Sequence, residues 1–391
     1  MNRTHLAAAA SLLLFLLPGP LRAAGSTETV VLLPFANISG AGRAQDMIEP
    51  ALVGRLEERG FRVIRGEEVR AFLASERLRY IDSFSASERE RLFKRFEARA
   101  AVLGTIHSFS EGENPVVGLS SRMVEPDGKV LWSAAVGLTG GDTEGALGLK
   151  RIASVERLAQ MAVSRLVGGF PSPGKGAAAS SGRAHRLGLR APRTFRSAAL
   201  AGGARHRVCL LPLVNRTSDR AGSRIVGELL SRRMAESPLF EVVEPADFRA
   251  AMVKARLAGL KNGDPAELKK LGDALGTSLF LTGAIDRYRD TSSHGRITPE
   301  LELQLTLTDV AGGRILWTSS AARKGSDYSG LFELGAISNM VTLADQVAAE
   351  MVRAVETAHP KESGPAAGRT RTASRARVLR VGVVSHFQEI G

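Results

Sequence analysis

The sequence predicts an α/β (α+β) protein made of two tandem three-layer-type modules, each a mixed β-sheet flanked by helices, joined by a flexible linker. Three observations predict it. An apolar strand closing on Leu-Pro occurs twice, as Val30-Val31-Leu32-Leu33-Pro34-Phe35-Ala36-Asn37 and as Val208-Cys209-Leu210-Leu211-Pro212-Leu213-Val214-Asn215. After each copy the apolar residues adopt helical spacing: Met47, Ile48, Ala51, Leu52 and Leu56 correspond to Ile225, Val226, Leu229, Leu230 and Met234. The two tryptophans of the chain, Trp132 and Trp317, end matching runs, Lys129-Val130-Leu131-Trp132 and Arg314-Ile315-Leu316-Trp317, each just after a glycine turn.

The elements follow in order. Arg3 and His5 precede an apolar run from Leu6 to Leu17, broken by Pro18-Gly19-Pro20 and followed by Leu21-Arg22-Ala23-Ala24. That is the layout of a secretory signal peptide over residues 1–24, with cleavage beside Ala23 or Ala24. The run is too short for a span, which needs about 20 apolar residues. No cysteine follows it to take a lipid. The first module is expected over 28–168 and the second over 207–356. In each, proline cannot continue the ladder, so Leu33-Pro34 and Leu211-Pro212 should end the first strand. Gly60 ends the first helix, and Phe61-Arg62-Val63-Ile64 or Phe240-Glu241-Val242-Val243 gives a short strand. A second helix carries Val69-Arg70-Ala71 and Phe248-Arg249-Ala250. Asp264-Pro265-Ala266-Glu267 has the cap, proline and acid of a helix start, and Ser87 with Glu90 offers the same box in the first copy. Buried strands follow through Gly104 and Gly283. Glu300 to Val310 then alternates strictly, so one face is buried and one is wet. Gly312-Gly313 and Asp127-Gly128 turn each hairpin. Amphipathic helices close the copies at Val155 to Val167 and Leu343 to Val355.

With 53 Lys and Arg against 40 Asp and Glu, the net charge of +13 calls for an explanation. DNA binding is the usual one for such a balance, but export removes the chain from its genome, so no nucleic acid is expected. Much of the excess sits in a Gly/Ala/Pro-rich linker over 169–206, and a second linker over 357–377 has the same character. The first reads as a flexible tether of roughly 40 residues, reaching about 30–40 Å, that lets two modules engage separate sites. Contact of these linkers with anionic lipid or glycan is the sharper alternative to plain solvation. The end of the chain, 378–391, looks like the first strand of a further copy.

The order of signals is Leu-Pro-Phe-x-Asn, a Phe-x-Val strand, Asp264-Pro265 with Leu271-Gly272, Thr282-Gly283, and Asp309-Val310 through Trp317. It resembles the periplasmic module shared by the CsgG curli secretion component, the TolB N-terminal domain, the FlgO flagellar protein and the LpoB activator of peptidoglycan synthases. The resemblance covers both halves and is fuller in the second. It implies a binding or assembly part rather than an enzyme.

No catalytic constellation stands out. Gly169 to Gly176 nearly spells a phosphate loop, but Gly176 stands where the motif needs Ser or Thr. The seven histidines have no pair at ligand spacing, and the single Cys209 excludes an internal disulfide and a cysteine metal site. His107, on a strand, is expected to be a satisfied core histidine. Asn37-Ile38-Ser39 and Asn215-Arg216-Thr217 suit turns in which asparagine bonds nearby backbone. The residues singled out are therefore structural: Leu33, Pro34, Phe35, Asn37, Gly104, Trp132, Leu211, Pro212, Asn215, Gly283, Asp309 and Trp317. No cofactor and no metal are expected. The expected role is a non-catalytic periplasmic interaction or assembly protein for envelope or surface-structure biogenesis, with unidentified envelope proteins as partners and self-association open. A small-ligand or glycan binder, and a subunit of an outer-membrane secretion assembly, are the alternatives.

Overall fold

The computed structural model describes residues 28–143, 151–171, 191–200, 205–257, 260, 264–293, 296–329 and 335–359. The expected signal peptide, most of the first linker and of the phosphate-loop-like run, nearly all of the second linker and the 378–391 tail lie outside the described residues. Two mixed α/β units with the same strand order account for the rest.

In the first unit, β1 (Thr29–Leu32) and β2 (Ala36–Asn37) lead into α1 (Ala44–Glu58), β3 (Arg62–Ile64), α2 (Glu67–Ser75), α3 (Ala86–Phe96), β4 (Ala100–Ser110), β5 (Val116–Val124), β6 (Val130–Thr139) and α4 (Val155–Leu166). The sheet order is β3-β1-β4-β5-β6, with β2 on β4. β1 is parallel to β3 and β4, and the β4-β5-β6 meander is antiparallel. Leu33 and Pro34 follow the end of β1, where proline has no amide to give the ladder. Alternate residues of β1 face opposite sides. Val30 and Leu32 join Leu52, Leu56, Leu158 and Leu166 under α1 and α4, whereas Val31 and Leu33 join Phe72, Leu92 and Phe96 under α2 and α3.

The second unit repeats this with β8 (His206–Leu210), β9 (Val214–Asn215), α5 (Gly222–Glu236), β10 (Phe240–Val242), α6 (Pro245–Lys254), α7 (Pro265–Leu275), β11 (Leu279–Ser293), β12 (Arg296–Asp309), β13 (Arg314–Lys324) and α8 (Met340–Thr357). Helices α5 and α8 cover one face, and α6 and α7 cover the other. Its sheet order is β10-β8-β11-β12-β13, with β9 on β11 and a further strand, β7 (Arg193–Arg196), on β13.

Strand β7 (Arg193–Arg196) corrects the expected linker. It lies inside the 169–206 stretch, yet pairs antiparallel with β13, Trp317 opposite Arg196. The basic composition hid it because Arg196 is buried for a polar reason. Its guanidinium donates to the carbonyls of Val355 (3.2 Å), Glu356 (3.0 Å) and Leu200 (2.9 Å), and so satisfies orphan carbonyls at the end of α8. At the other end of the stretch, Phe170 is also core, its ring 4.7 Å from Trp132. The capping box of α3 falls two residues earlier than the sequence suggests. Ser85 is the cap and Glu88 its partner, with the Ser85 amide donating to Glu88 at 2.7 Å. The α7 start is as expected, Asp264 accepting from the Ala266 amide at 2.9 Å.

Candidate interaction surfaces

The two units touch along a seam. On the far side of β5 and β6 from α1 and α4, the ladder carries small and polar side chains, Gly118, Ser120 and Arg122, then Ser133, Ala135 and Gly137. Helices α5 and α8 of the second unit settle on them. Thr342 donates to the Gly137 carbonyl at 2.9 Å and the Asn339 amide donates to Leu138 at 3.3 Å. Thr139 and Ser338 hydroxyls meet at 3.0 Å. A side chain at Gly137 would collide with Asn339 and Thr342, and one at Gly118 with Val341. The start of α8 therefore covers the end of β6, while β7 covers β13 in the other sheet. Both devices protect an edge strand.

Polar contacts extend the seam. Arg122 makes a fork on Glu244 at 2.7 and 2.8 Å and donates to the Asp82 carbonyl at 3.0 Å. Ser133 donates to Glu236 at 2.6 Å, and Arg224 reaches Asp82 at 3.1 Å. Arg249 donates to Ser83 at 2.9 Å. Asp345 is gripped by Arg232 and Arg233. Burial works to raise its carboxyl, but the two guanidiniums outweigh burial and hold it below the ordinary range. Separately engaging units, expected from the tether, are thus replaced by docked ones, because one sheet face is small enough to receive two helices. The cavity between Arg122, Glu244, Phe84 and Arg89 is about 10 Å³, the size of one water. A groove of about 780 Å³ lies along α7 in the second unit, lined by Leu268, Gly272, Phe280 and Val310.

His107 stands at this seam. It is the bulged residue of β4, where the register shifts between Ile106 and Ser108. Its Nε2 is 2.9 Å from the Ser120 hydroxyl, which donates to Glu228 at 2.5 Å. The Nδ1 atom has no partner. Burial lowers its pKa, with Glu228 opposing. The order His-Ser-Glu is not that of an activated serine, whose base must accept the hydroxyl proton. Here that proton goes to the carboxylate. Burial also pushes the Cys209 thiol up to about 12, so it is inert as a nucleophile. Among the described residues no group of His, Cys, Asp and Glu could hold a metal ion, and no helix is long and apolar enough to cross a membrane.

The residues singled out in the sequence do not gather into one site. Leu33 and Leu211 are buried on the α2–α3 and α6–α7 sides. Pro34 and Pro212 follow the first strand of each unit. Phe35 packs where Gly104 leaves room, and Leu213 does so against Gly283. Asn37 donates to the Ala41 carbonyl at 2.7 Å and accepts from the Ser39 amide at 3.1 Å. Asn215 repeats this with Asp219 and Thr217, at 2.5 and 3.0 Å. Asp309 accepts from Ser278 at 2.8 Å and pairs with Arg314 at 3.2 Å. Trp132 and Trp317 are buried in separate cores. The seam residues were missed. Their one sequence signal is that a strand face holding Gly118, Ser120, Ser133 and Gly137 is too small to be either a core or a charged surface.

The fold and its seam define a mixed α/β unit present here as a docked pair. Residues 192–322 match the family model for the peptidoglycan-synthase activator LpoB. The match begins where β7 begins and runs into β13. It supports the LpoB part of the resemblance for the second unit, and does not extend to CsgG, TolB or FlgO, nor to a second tandem copy. No curated protein matches the chain. Among solved structures, a PelC dodecamer from Paraburkholderia phytofirmans is 14% identical and covers 41% of this chain and 98% of its own, with a TM-score of 0.28. Lipoprotein GNA1162 from Neisseria meningitidis is 17% identical over 35% of this chain and 96% of its own, TM-score 0.27. The LpoB C-terminal domain from Escherichia coli is 19% identical over 31% and 84%, TM-score 0.25. Such values describe partial overlap and establish nothing about role.

Proposed function

We propose that the chain is a non-catalytic interaction protein of the cell envelope, and that its second unit engages and stimulates a peptidoglycan synthase. The observation that carries this reading is the coincidence of the LpoB family match, 192–322, with the β-sheet of the second unit from β7 to β13. The first unit, docked through α5 and α8, braces that unit and adds its own surface. Export, expected from the first 24 residues, and the net charge of +13 suit a partner that is another envelope protein and not nucleic acid. The test is direct. A purified peptidoglycan synthase from the same organism is assayed with and without the mature chain, and its rate of glycan synthesis should rise with a saturable dependence on the chain. No binding and no change in rate at micromolar concentration would remove the reading.

A further inference from the structure

The large apolar side chains left exposed among the described residues are Tyr80 at 53%, Val253 at 78% and Ile315 at 48%. Two of these, Tyr80 and Val253, are linked through Arg249 at the seam. Tyr80 comes from the first unit, in the loop between α2 and α3, and the Arg249 guanidinium of α6 lies 4.2 Å over its ring. Val253 is one turn further along α6, on the same face as Arg249. The strip exists because the units are docked: half of it belongs to each.

Its rim is cationic in an unusual way. Arg77 ends α2 and Arg256 ends α6, and both hold the left-handed conformation, at φ 54° and φ 55°. Each closes its helix by donating its amide back, Arg77 to Ala74 at 3.1 Å and Arg256 to Val253 at 3.0 Å. Glycine is the usual residue there, because a Cβ crowds the backbone. An arginine stands in this position in both units, as Glu97 does at the end of α3 with φ 48°. Arg77, Arg79, Lys254 and Arg256 make no ion pair among the described residues, whereas the neighbouring acids are engaged. Asp82 is held by Arg224 at 3.1 Å, Glu244 by Arg122 at 2.7 Å, and Asp247 accepts the Ala86 amide at 3.3 Å. An aromatic ring and an aliphatic side chain with unpaired arginines and a lysine near them in the chain, beside an Arg249 already held by Ser83 and Asp82, have the composition of a binding hot spot.

We propose that this strip, Arg77, Arg79 and Tyr80 with Arg249, Val253 and Arg256, docks an acidic polypeptide segment that carries an aromatic or branched apolar anchor. The carboxylates of the segment pair with the arginines, and the anchor lies between Tyr80 and Val253. The inference rests on the interaction role proposed above and names the surface that serves it.

The full mature chain is titrated with a labelled synthetic peptide of glutamates around one tryptophan. Saturable binding is expected, weakened about tenfold or more by Tyr80→Ala and by Val253→Asp, as for interface anchors. Arg77→Glu with Arg256→Glu should weaken it similarly, and thermal unfolding confirms that the variants fold. Arg157→Glu, a single charge reversal on the exposed side of α4, should leave it unchanged. Equal loss with Arg157→Glu, equal binding when glycine replaces the tryptophan, or preference for phosphatidylglycerol vesicles over the peptide would each overturn the proposal. The same variants are then tried against the purified synthase. If the synthase is stimulated as well by the variants as by the parent chain, the strip is refuted and the synthase role stands. If the peptide binds but no synthase responds to any form, the strip stands and that role falls.

Discussion

The two sheets agree at their tryptophans and part a few residues later. Trp132 lies opposite Met123 and Trp317 opposite Leu307. Further along the same ladders the first sheet pairs Gly118 with Gly137, and the second pairs Glu302 with Ala322. The glycine pair admits Val341, Asn339 and Thr342 from the other unit. At the other pair Ala322 is exposed, and Glu302 makes an ion pair with Arg287 at 3.3 Å. Two units with matching core positions therefore differ at one face, and in the first unit that face receives the neighbour. The second sheet holds Glu302 where the first sheet offers Gly118 to Val341.

The shared part should show the largest effects. Trp132→Ala and Trp317→Ala should each cost about 3–5 kcal/mol, since each empties a buried ring site. Trp132 tilts against Phe170 at 4.7 Å and Trp317 stacks on Phe240 at 5.8 Å. Denaturant midpoints measure both, and a cost near zero at either would place that ring outside its core.

The differing part is sharpened by paired substitutions. Gly137→Val should cost about 1–3 kcal/mol by overpacking against Asn339 and Thr342. Ala322→Val, its counterpart, should change stability by no more than about 0.5 kcal/mol. By calorimetry the parent chain and Ala322→Val should each unfold in one transition, and Gly137→Val in two. If both substitutions behave alike, the two faces do not differ as described.

How much of this was legible in the sequence follows from the same contrast. The repeated strands and helices were legible because burial imposes a period. Leu301, Leu303, Leu305 and Leu307 could only be one face of a strand, and the helix between β1 and β3 could only present one apolar side. The tether could be misread because composition was its one guide, and Arg196, buried to satisfy carbonyls, looks the same in sequence as a solvated arginine. Docking was illegible because its enabling residues are small. Gly118 and Gly137 have no period of their own, and only the three-dimensional path of α8 shows what they admit. His107 was expected inside one core. It is buried, but between two units, with a carboxylate from the second.

A smaller effect comes from Arg122. Arg122→Ala leaves Glu244 half-buried without its fork, at a cost of about 1–2 kcal/mol once partial exposure is allowed for. Thr306 occupies the matching place on β12, and Thr306→Ala should cost less than about 0.5 kcal/mol. A double-mutant cycle with Glu244→Ala checks that the cost belongs to the pair.

The least effect at neutral pH, and the most informative on acidification, belongs to His107. It faces Glu228, Arg224, Arg232 and Asp345, and burial lowers its pKa from the ordinary 6.5. Keeping it neutral adds stability that is complete above pH 6.5 and is lost as pH falls through the lower folded value. Stability of the parent chain should therefore drop below pH 6.5 more steeply than that of His107→Gln. Parallel pH profiles would show that the histidine is already hydrated and that the seam is open there.

The docked seam itself is tested most directly by a crosslink. Thr139 and Ser338 lie on different units with their hydroxyls 3.0 Å apart, close enough for the sulfurs of two introduced cysteines to bond. The native Cys209 is buried and its thiol is pushed up to about 12, so it does not compete. In Thr139→Cys/Ser338→Cys, air oxidation at low protein concentration should close one intramolecular disulfide, seen as a loss of two free thiols with no change in mass beyond two hydrogens. Thiols that stay free, or that pair only between chains, would contradict docking and return the molecule to two units held apart on a tether.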